Sequence, residues 1–498
     1  MMKNEIPSNH AGDSEARFRG RVKLLASLAA RFVLAGFAVL ALVSQTSSEG
    51  SGRPDRAPEA AGNSDRDAGG SEPSELAERG WRVLTLARDS RSAQPAPDQL
   101  REAVLDLEKA AEAGDPYGMA GLGICLHEGL GTEPDKAEAV RWWRQAAELG
   151  DAAAMAWLGK AHREGVGGLE EDPETAVEWW LKAAELGDAD AMAALGTSYV
   201  LGIGGLEEDP EKAIELWRKA ADLGKAGAMV NLGLVHLEGI GGLEEDPEKA
   251  VEWWLKAAEL GDVRAMFALG FSYRDGNGGL EEDPEKAVEW LRKAAELGSA
   301  DAMNDLGTCY RRGYGGLDED PEKAVEWWRK AAELGDSDAM VNLGTSYRRG
   351  YGGLDEDPVK AVQWWRKAAE LGDADAMYYL GTSYMDGYGG LDEDPVKAGQ
   401  WWRKAAELND PDAMYNLGVM YFEGNGGLDE DPEKAVEWWR KAAELGDPDA
   451  MRALGSFHFK GLGGLDEDVE KAAEWWRKAK AAGYELPPEA EQIIRDAR

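Results

Sequence analysis

The sequence is poor in cysteine, in phenylalanine and in positive charge. Two cysteines in 498 residues exclude a fold that disulfides hold together. Only 56 Lys and Arg stand against 95 Asp and Glu, and the net charge of −39 opposes binding to nucleic acid unless a local basic patch exists. The 8 Phe are outnumbered by 20 Trp, which is unusual for an ordinary core. Because 43% of the residues are hydrophobic, a wholly disordered chain is also excluded.

The first 44 residues have the pattern of a targeting segment. A basic stretch ends at Lys23, and an apolar stretch follows at 24–44. Its uninterrupted part, 32–43, fits the apolar region of ~7–15 residues in a secretory signal better than a membrane span of ~20 residues. The long leading segment instead favours an uncleaved anchor. We therefore expect a cytoplasmic basic segment at 1–23 and a signal or anchor at 24–44.

A buried helix of a soluble domain is the alternative for this apolar stretch. We reject it because residues 45–73 are mainly Gly, Ser, Pro, Asp and Glu and offer no apolar partner, which predicts a disordered linker. Positive charges before the stretch and acids after it keep the amino end in the cytoplasm. The expected protein is membrane-anchored by this single segment, or secreted or periplasmic after cleavage, with the remainder on the non-cytoplasmic side.

Most of the chain is a tandem array of ten copies of one sequence motif. A repeated methionine marks its register, at a spacing of 36 residues once and 37 residues thereafter. Repeats of about 20–50 residues with two helical patterns are typical of an α-solenoid. The predicted fold is therefore an all-α superhelix of about ten helix-turn-helix repeats at 115–483, between degenerate capping helices at 74–114 and a capping helix at 484–498. The methionines are Met119, Met155, Met192, Met229, Met266, Met303, Met340, Met377, Met414 and Met451.

One repeat shows why each unit forms two helices. Asp188 is placed to cap the first helix, and Gly202 is placed to end it. Asp209 then caps the second helix, whose first position is a proline. At 100° per residue, Trp180 falls inside the apolar arc of the second helix and Trp179 at its edge. We therefore predict that the second tryptophan of each pair is a core residue.

Three substitutions inside the array test this interpretation. Asn409 replaces a terminal glycine, and asparagine tolerates a left-handed backbone. Ser299 replaces a capping aspartate and is expected to cap as well. Lys225 also replaces a capping aspartate and is not expected to cap, which predicts a weaker junction.

The repeat resembles a known family. The string Ala-Met-x-x-Leu-Gly-x-x-Tyr-x-x-Gly, followed by Lys-Ala-Val-x-Trp-Trp-x-Lys-Ala-Ala-Glu-Leu-Gly, is closely matched at 339–350 and 360–372. It is similar to the Sel-one-like repeat, a relative of the tetratricopeptide repeat (TPR-like). The chain departs from that family in its Trp-Trp pair and in a Gly-Leu-acid-Glu-Asp loop insert. The resemblance implies a curved helix-pair solenoid that scaffolds other proteins, and it implies no reaction.

Three groups of residues have chemistry of their own, and a structural role is favoured for each. Recurrent acidic triplets lack the spacing of a calcium loop and suit helix capping. Three histidines replace one half-buried aromatic position in non-adjacent repeats, which does not suit a metal cluster. Cys125 and Cys309 are five repeats apart, ~50 Å at ~10 Å per repeat, too far for a disulfide. No catalytic, cofactor or metal residue is assigned.

A variable first-helix position is the best candidate for binding. Eight residues after each methionine the residue type changes along the chain, from arginine in successive repeats to methionine and phenylalanine. Related solenoids bind ligands along the first-helix surface. The alternative is that the arginine stems cover neighbouring helices and balance the acidic loops. The candidate ligand surface, with adjoining residues, is Arg274, Arg311, Arg312, Arg348, Arg349, Tyr378, Met385, Tyr415, Phe422 and Phe459.

These patterns favour an exported or membrane-tethered protein–protein interaction scaffold. The expected partner is a protein with an extended acidic and apolar segment, with no nucleic acid and no cofactor. One alternative is an envelope hydrolase of the β-lactam-acting kind, which some secreted members of the resembled family are reported to be. Those members staple each repeat with a cysteine pair that this chain lacks, and no Ser has a nearby Lys or His base, so we expect no enzymatic activity. The other alternative is a glycan- or peptidoglycan-binding protein.

Overall fold

The computed structural model describes residues 72–88 and 95–496, and these residues are all-α. They form 23 helices arranged as successive helical hairpins, and no strand occurs among them. The predicted basic and apolar segments, 1–23 and 24–44, lie outside the described residues, as do 45–71 of the predicted linker. Within the described ranges, no helix has both the length and the apolar character that a membrane crossing needs.

The chain divides into two compact units, 1–290 and 291–498. In unit 1 the helices are α1 (Pro73–Arg88), α2 (Pro97–Glu112), α3 (Pro116–Glu128), α4 (Lys136–Glu148), α5 (Ala152–Glu164), α6 (Pro173–Glu185), α7 (Ala189–Leu201), α8 (Pro210–Asp222), α9 (Ala226–Glu238), α10 (Pro247–Glu259) and α11 (Val263–Asp275). Helix α12 (Pro284–Glu296) contains the boundary between the units.

Unit 2 continues the same alternation of first and second helices. Its helices are α13 (Ala300–Arg312), α14 (Pro321–Glu333), α15 (Ser337–Arg349), α16 (Pro358–Glu370), α17 (Ala374–Asp386), α18 (Pro395–Glu407), α19 (Pro411–Glu423), α20 (Pro432–Glu444), α21 (Pro448–Lys460), α22 (Val469–Ala481) and α23 (Pro488–Asp496).

Capping aspartates and left-handed glycines set the helix ends, as the sequence predicts. The Asp188 carboxylate accepts the Ala191 N–H at 2.8 Å, and Gly202 ends α7 at φ 59°. Asp209 caps α8 in the same way, by accepting the Lys212 N–H at 3.0 Å. The capping side chains satisfy amide groups that a helix start leaves without an intrahelical partner.

One tryptophan per second helix forms the core of nearly every repeat, which confirms the prediction for the second Trp of each pair. Trp180 is 3% exposed, whereas Trp179 is half-buried with the Lys182 ammonium 4.5 Å from its ring centroid. The Trp180 Nε1–H donates to the Ala156 carbonyl at 3.1 Å. The ring lies against Gly159, where an added Cβ would be 2.4 Å from Nε1. A glycine at this position therefore lets the indole reach the first-helix backbone.

The loop between the two helices makes a second close approach between neighbouring repeats, at the glycine just before the insert. In unit 2, Gly352 has φ 67°, and a Cβ there would lie 2.5 Å from the Pro321 carbonyl oxygen and 2.5 Å from Val325 Cγ2. The loop after one first helix therefore packs against the start of the second helix in the preceding repeat. The loop that carries the insert is thus part of the packing between repeats.

The three residues that depart from the repeat, Asn409, Ser299 and Lys225, have the backbone and capping roles that the sequence predicts, and Lys225 also forms an ion pair. Asn409 has φ 64°, and the Ser299 hydroxyl accepts the Ala302 N–H at 3.2 Å. Lys225 makes no side-chain cap, as expected. Its ammonium instead forms an ion pair with Asp190 of the preceding repeat. This contact between repeats is a compensation that the sequence did not predict.

The predicted capping helices are present at both ends of the described chain. Helix α1 starts at Pro73, the last residue assigned to the linker, and α2 has buried Asp106 where most other second helices have the first tryptophan of the pair. The Arg79 guanidinium pairs with Asp106, so the buried carboxylate is compensated. At the other end, α23 begins at Pro488 and buries Ala490.

Candidate interaction surface

The variable first-helix residues occupy one structural position, eight residues after each methionine, which we call the +8 register. Several of them pack on the core tryptophan of their own repeat. In unit 1, His127 lies 5.5 Å from Trp143, and the Arg163 guanidinium lies 5.6 Å from the Trp180 ring. The register was expected on the solvent side, but most of its residues are half-buried because the indole lies beside them.

Arg274, the one candidate residue in unit 1, is held by its neighbours. Its guanidinium lies 4.2 Å from the Phe271 ring centroid. Its Nε and Nη2 donate to the Asp275 carboxylate at 2.7 and 3.0 Å, and its side chain is only 18% exposed. These contacts favour a packing role for this arginine.

In unit 2, Arg311 and Arg348 also lie on aromatic rings. The Arg311 guanidinium is 5.6 Å from the Trp328 centroid, and that of Arg348 is 5.8 Å from Trp365 and 5.5 Å from Tyr379. Burial lowers the pKa of the Arg311 guanidinium, although it stays charged at neutral pH. Both arginines therefore cover the core edge with their planar groups, as the packing alternative requires.

The adjacent position presents charge to solvent. Arg312 and Arg349 end α13 and α15 and are exposed. Met385 is half-buried at the +8 register of the next repeat. Phe422 and Phe459 follow and remain 38% and 37% exposed, although their rings lie 6.1 Å from Trp439 and 5.8 Å from Trp476. Of the candidate residues, this set offers the most accessible surface.

The candidate tyrosines line the same helices but are less accessible. Tyr378 lies 5.5 Å from Tyr379, edge to face, and both are half-buried. The Tyr415 hydroxyl accepts from Arg452 Nη2 at 3.2 Å. Burial raises the pKa of all three phenols, which stay neutral near pH 7. They therefore act as ring surfaces and hydrogen-bonding groups.

Sequence reasoning missed an acidic position on these helices, two residues before each methionine, which we call the −2 register. In unit 2 the residue there is aspartate in all five first helices, whereas unit 1 has one aspartate in five. The 37-residue recurrence was visible in the sequence and could have revealed it. The unit 2 residues are Asp301, Asp338, Asp375, Asp412 and Asp449.

The carboxylates of unit 2 influence each other. Burial, followed by the nearby charges of Asp338, Asp301 and Asp305, raises the pKa of the Asp336 carboxyl to about 7, against the lowering effect of its capping hydrogen bond to Ala339. Burial and the Asp338 charge likewise raise the pKa of Asp301. The starts of the first helices thus form a region of negative potential within unit 2.

The cysteines and two of the histidines are buried in the described part of the chain. Cys125 and Cys309 are buried free thiols, and burial raises the pKa of Cys125 to about 12. His236 and His458 are buried, and burial lowers the pKa of both imidazoles. Among residues 72–88 and 95–496, no three His, Cys, Asp or Glu are grouped to hold a metal ion.

Comparison with solved structures finds similar repeat proteins. A protective antigen of uropathogenic Escherichia coli strains, described as displaying an SLR fold, is 29% identical with a TM-score of 0.54, over 86% of this chain and 91% of that chain. A Sel1 repeat protein from Oxalobacter formigenes is 30% identical with a TM-score of 0.45, over 50% of this chain and 96% of its own. An immunity protein from Pseudomonas aeruginosa is 22% identical with a TM-score of 0.30, over 47% and 80%. A search of curated proteins gives no significant match.

Family models give the more specific result. The Sel1 repeat model matches ten consecutive segments of the chain. They are 116–151, 152–188, 189–225, 226–262, 263–299, 300–336, 337–373, 374–410, 411–447 and 448–484. These segments have the boundaries of the helical hairpins described above, and together they span most of the sequence. The chain therefore belongs to the Sel1 repeat family.

Proposed function

We propose that this Sel1-repeat solenoid is a scaffold that holds an extended segment of a partner protein along the first helices of unit 2. One observation carries the proposal. The Ala, Met, Leu, Gly and Trp positions of the core are nearly uniform between repeats, whereas the +8 register changes from arginine to methionine to phenylalanine over the same buried frame. A constant frame with variable outer residues suits recognition of a partner along its length.

The exposed side chains define the partner's chemistry. Arg312 and Arg349 attract carboxylates at one end of the surface, and Phe422 and Phe459 offer apolar contact at the other. An exposed ion pair contributes only about 0–1 kcal/mol, so binding requires several contacts together with the aromatic end. The proposed partner segment is therefore acidic in one part and apolar in the next.

A charge-reversal experiment tests this proposal. Arg312→Glu with Arg349→Glu is expected to weaken binding of a labelled peptide with an acidic half and a leucine-rich half, and binding should weaken as salt rises. Arg329→Glu with Arg366→Glu is the matched control, because both arginines are exposed on second helices of the same repeats. Equal loss in the two variants would mean that net charge, and not this surface, governs binding.

We also propose that the solenoid works outside the cytoplasm and without catalysis. The basic stretch Arg17, Arg19, Arg21 and Lys23 before an apolar segment supports export. A reporter fused after Pro73 should then be active outside the cytoplasm, and reversal of the four basic residues to Glu should reduce that activity. A reporter active only in the cytoplasm contradicts export, and hydrolysis of nitrocefin by the purified chain contradicts the non-catalytic proposal.

A further inference from the structure

The arginines of the +8 register in unit 1 each make two kinds of contact. The Arg163 guanidinium lies 5.6 Å from the Trp180 ring, and its Nη2 donates to Glu164 at 2.9 Å. Arg274 also lies on a ring and donates twice to Asp275, at 2.7 and 3.0 Å. The face of a guanidinium can stack on a ring while its N–H groups, which lie in its plane, bind an acceptor. Both arginines therefore hold a carboxylate, which the next residue of the chain supplies.

The two equivalent arginines of unit 2 stack on a ring but are not followed by an acid. Arg311 lies 5.6 Å from the Trp328 ring centroid, and Arg348 lies 5.8 Å from that of Trp365. The next residue in both cases is a second arginine, where the two arginines of unit 1 are followed by Glu or Asp. Within the described chain, neither Arg311 nor Arg348 forms an ion pair. Their in-plane N–H groups can therefore bind a carboxylate that another molecule supplies.

A phenol of the following repeat lies beside Arg348. The Tyr388 ring centroid is 6.4 Å from that of Trp365, so Tyr388 and Arg348 border the same indole. Tyr379 stacks on this indole at 4.8 Å and lies 5.5 Å from the guanidinium. The Tyr388 hydroxyl is buried, and it has no hydrogen-bond partner among the residues that the structure describes. Burial raises the pKa of this phenol and the Arg348 charge opposes that rise, as expected for neighbouring groups.

The preceding repeat contains the same combination of groups. Tyr351 corresponds to Tyr388, and its hydroxyl is also buried without a hydrogen-bond partner in the described ranges. Burial raises the pKa of the Tyr351 phenol, and the Arg311 charge opposes that rise. The loop acids Glu319 and Glu356 act on the same two phenols, but among the described residues they form no ion pair with either arginine. An arginine and a tyrosine with unused donors therefore occur together twice, one repeat apart.

We infer that Arg311 with Tyr351, and Arg348 with Tyr388, hold two carboxylates of the partner segment, one in each repeat. This inference rests on the proposed function and deepens it, because it assigns the acidic part of the segment to two defined sites. A carboxylate has two oxygens, so it can accept from the guanidinium edge and from the phenol together. Repeats are ~10 Å apart, and a polyproline-II segment advances about 9 Å in three residues. The two acidic residues of the partner are therefore three positions apart in its sequence.

Removal of the two hydroxyl groups tests these sites with little change in packing. The probe is a fluorescent peptide of Glu-Pro-Pro triplets, which has a carboxylate at every third residue and no apolar half, and the protein is the full chain. Tyr351→Phe with Tyr388→Phe should raise the Kd about tenfold or more, because each site loses a hydrogen bond to a charged group. Tyr347→Phe with Tyr384→Phe, in α15 and α17 of the same repeats, is the matched control and should change the Kd less than about twofold. An unchanged Kd in the first pair would overturn the inference.

Replacement of the arginines by lysine separates these sites from general attraction between charges. Arg311→Lys with Arg348→Lys keeps the net charge but loses the planar group that binds a carboxylate through two N–H donors, so the Kd should rise about tenfold. Arg329→Lys with Arg366→Lys changes exposed arginines on second helices and should leave the Kd unchanged. Equal affinity of the first pair and the wild type would contradict the inference, because charge alone would then explain binding.

The spacing of the acids gives a test that needs no variant. Of two peptides with the same composition, the one with two Glu three positions apart should bind the wild-type chain more tightly than the one with adjacent Glu, and equal Kd values would overturn the inference. If the two-part peptide loses affinity only in the Arg312 and Arg349 variants, the proposed function stands and this inference fails. If the Glu-Pro-Pro peptide binds through the tyrosines while a leucine-rich half adds no affinity, the two sites stand and the apolar part of the proposed function fails.

Discussion

The two adjacent tryptophans of one repeat should differ strongly in their contribution to stability. Trp328 is 1% exposed, donates its Nε1–H to the Asn304 carbonyl at 3.1 Å, and packs on Gly307 at a distance that an added Cβ would reduce to 2.7 Å. Trp327 is half-buried, and the Lys330 ammonium lies 4.1 Å from its ring centroid.

The expected magnitudes follow from these contacts. A buried tryptophan removes roughly 200 Å² from water, and at about 25 cal/mol per Å² this is worth about 5 kcal/mol. Trp328→Ala should therefore lower the free energy of unfolding by about 3–5 kcal/mol. Trp327→Ala loses partial burial and a cation–π contact of about 0.5–1 kcal/mol, so its total cost should be nearer 1–2 kcal/mol.

Urea titration of the full chain, followed by circular dichroism, measures the difference. Repeat proteins can unfold in segments, so hydrogen exchange of α13 and α14 should be followed in the same variants. Trp328→Phe is the control for the hydrogen bond and should recover much of the loss, leaving about 1–2 kcal/mol. Similar midpoints for Trp328→Ala and Trp327→Ala would refute the assignment of the two faces.

Four further substitutions are expected to change stability in different directions. Gly418→Ala should destabilise the chain by about 1–3 kcal/mol, because the added Cβ would lie 2.4 Å from Trp439 Nε1. Gly399→Ala should instead stabilise it by up to about 1 kcal/mol, because only the flexible Met420 side chain lies near the added Cβ, at 3.2 Å. Thermal melting of the two variants checks both predictions. Asp336→Asn keeps a capping side chain but removes a carboxyl whose pKa is raised to about 7 in the folded state. Because of this raised pKa, the wild-type chain loses stability as pH rises from about 4 to 7. The gain in Tm of the variant over the wild type should therefore be larger at pH 8 than at pH 5. Equal gains at the two pH values would contradict this. Arg348→Ala should lower Tm, because its guanidinium lies on Trp365 and Tyr379, and an unchanged Tm would place it outside the packing.

The local structure was predictable because it depends on residues close together in the sequence. The left-handed Asn409, the Ser299 cap and the buried Trp180 follow from backbone sterics, side-chain hydrogen bonding and helical angle. Contacts between positions in different helices were not predictable in this way. The Arg311 guanidinium lies on a ring 17 residues later in the sequence, and the Lys225 ammonium reaches an aspartate 35 residues earlier. The structure therefore differs from the sequence prediction more at the candidate surface than in the fold, because the exposure of a side chain depends on such neighbours.

The tryptophan hydrogen bond lets one first-helix position vary between repeats. In most repeats the indole N–H is accepted by a main-chain carbonyl of the first helix, and that carbonyl belongs to Ala156, Asn304, Tyr378 or Arg452 with donor–acceptor distances of 3.1, 3.1, 3.2 and 3.3 Å. Because the acceptor is a main-chain oxygen, the hydrogen bond does not depend on the side chain of the residue that accepts it. Each repeat can therefore exchange the residue at this position, for example alanine for tyrosine or arginine, while the tryptophan stays anchored, so the first helices can vary from repeat to repeat without rebuilding the core.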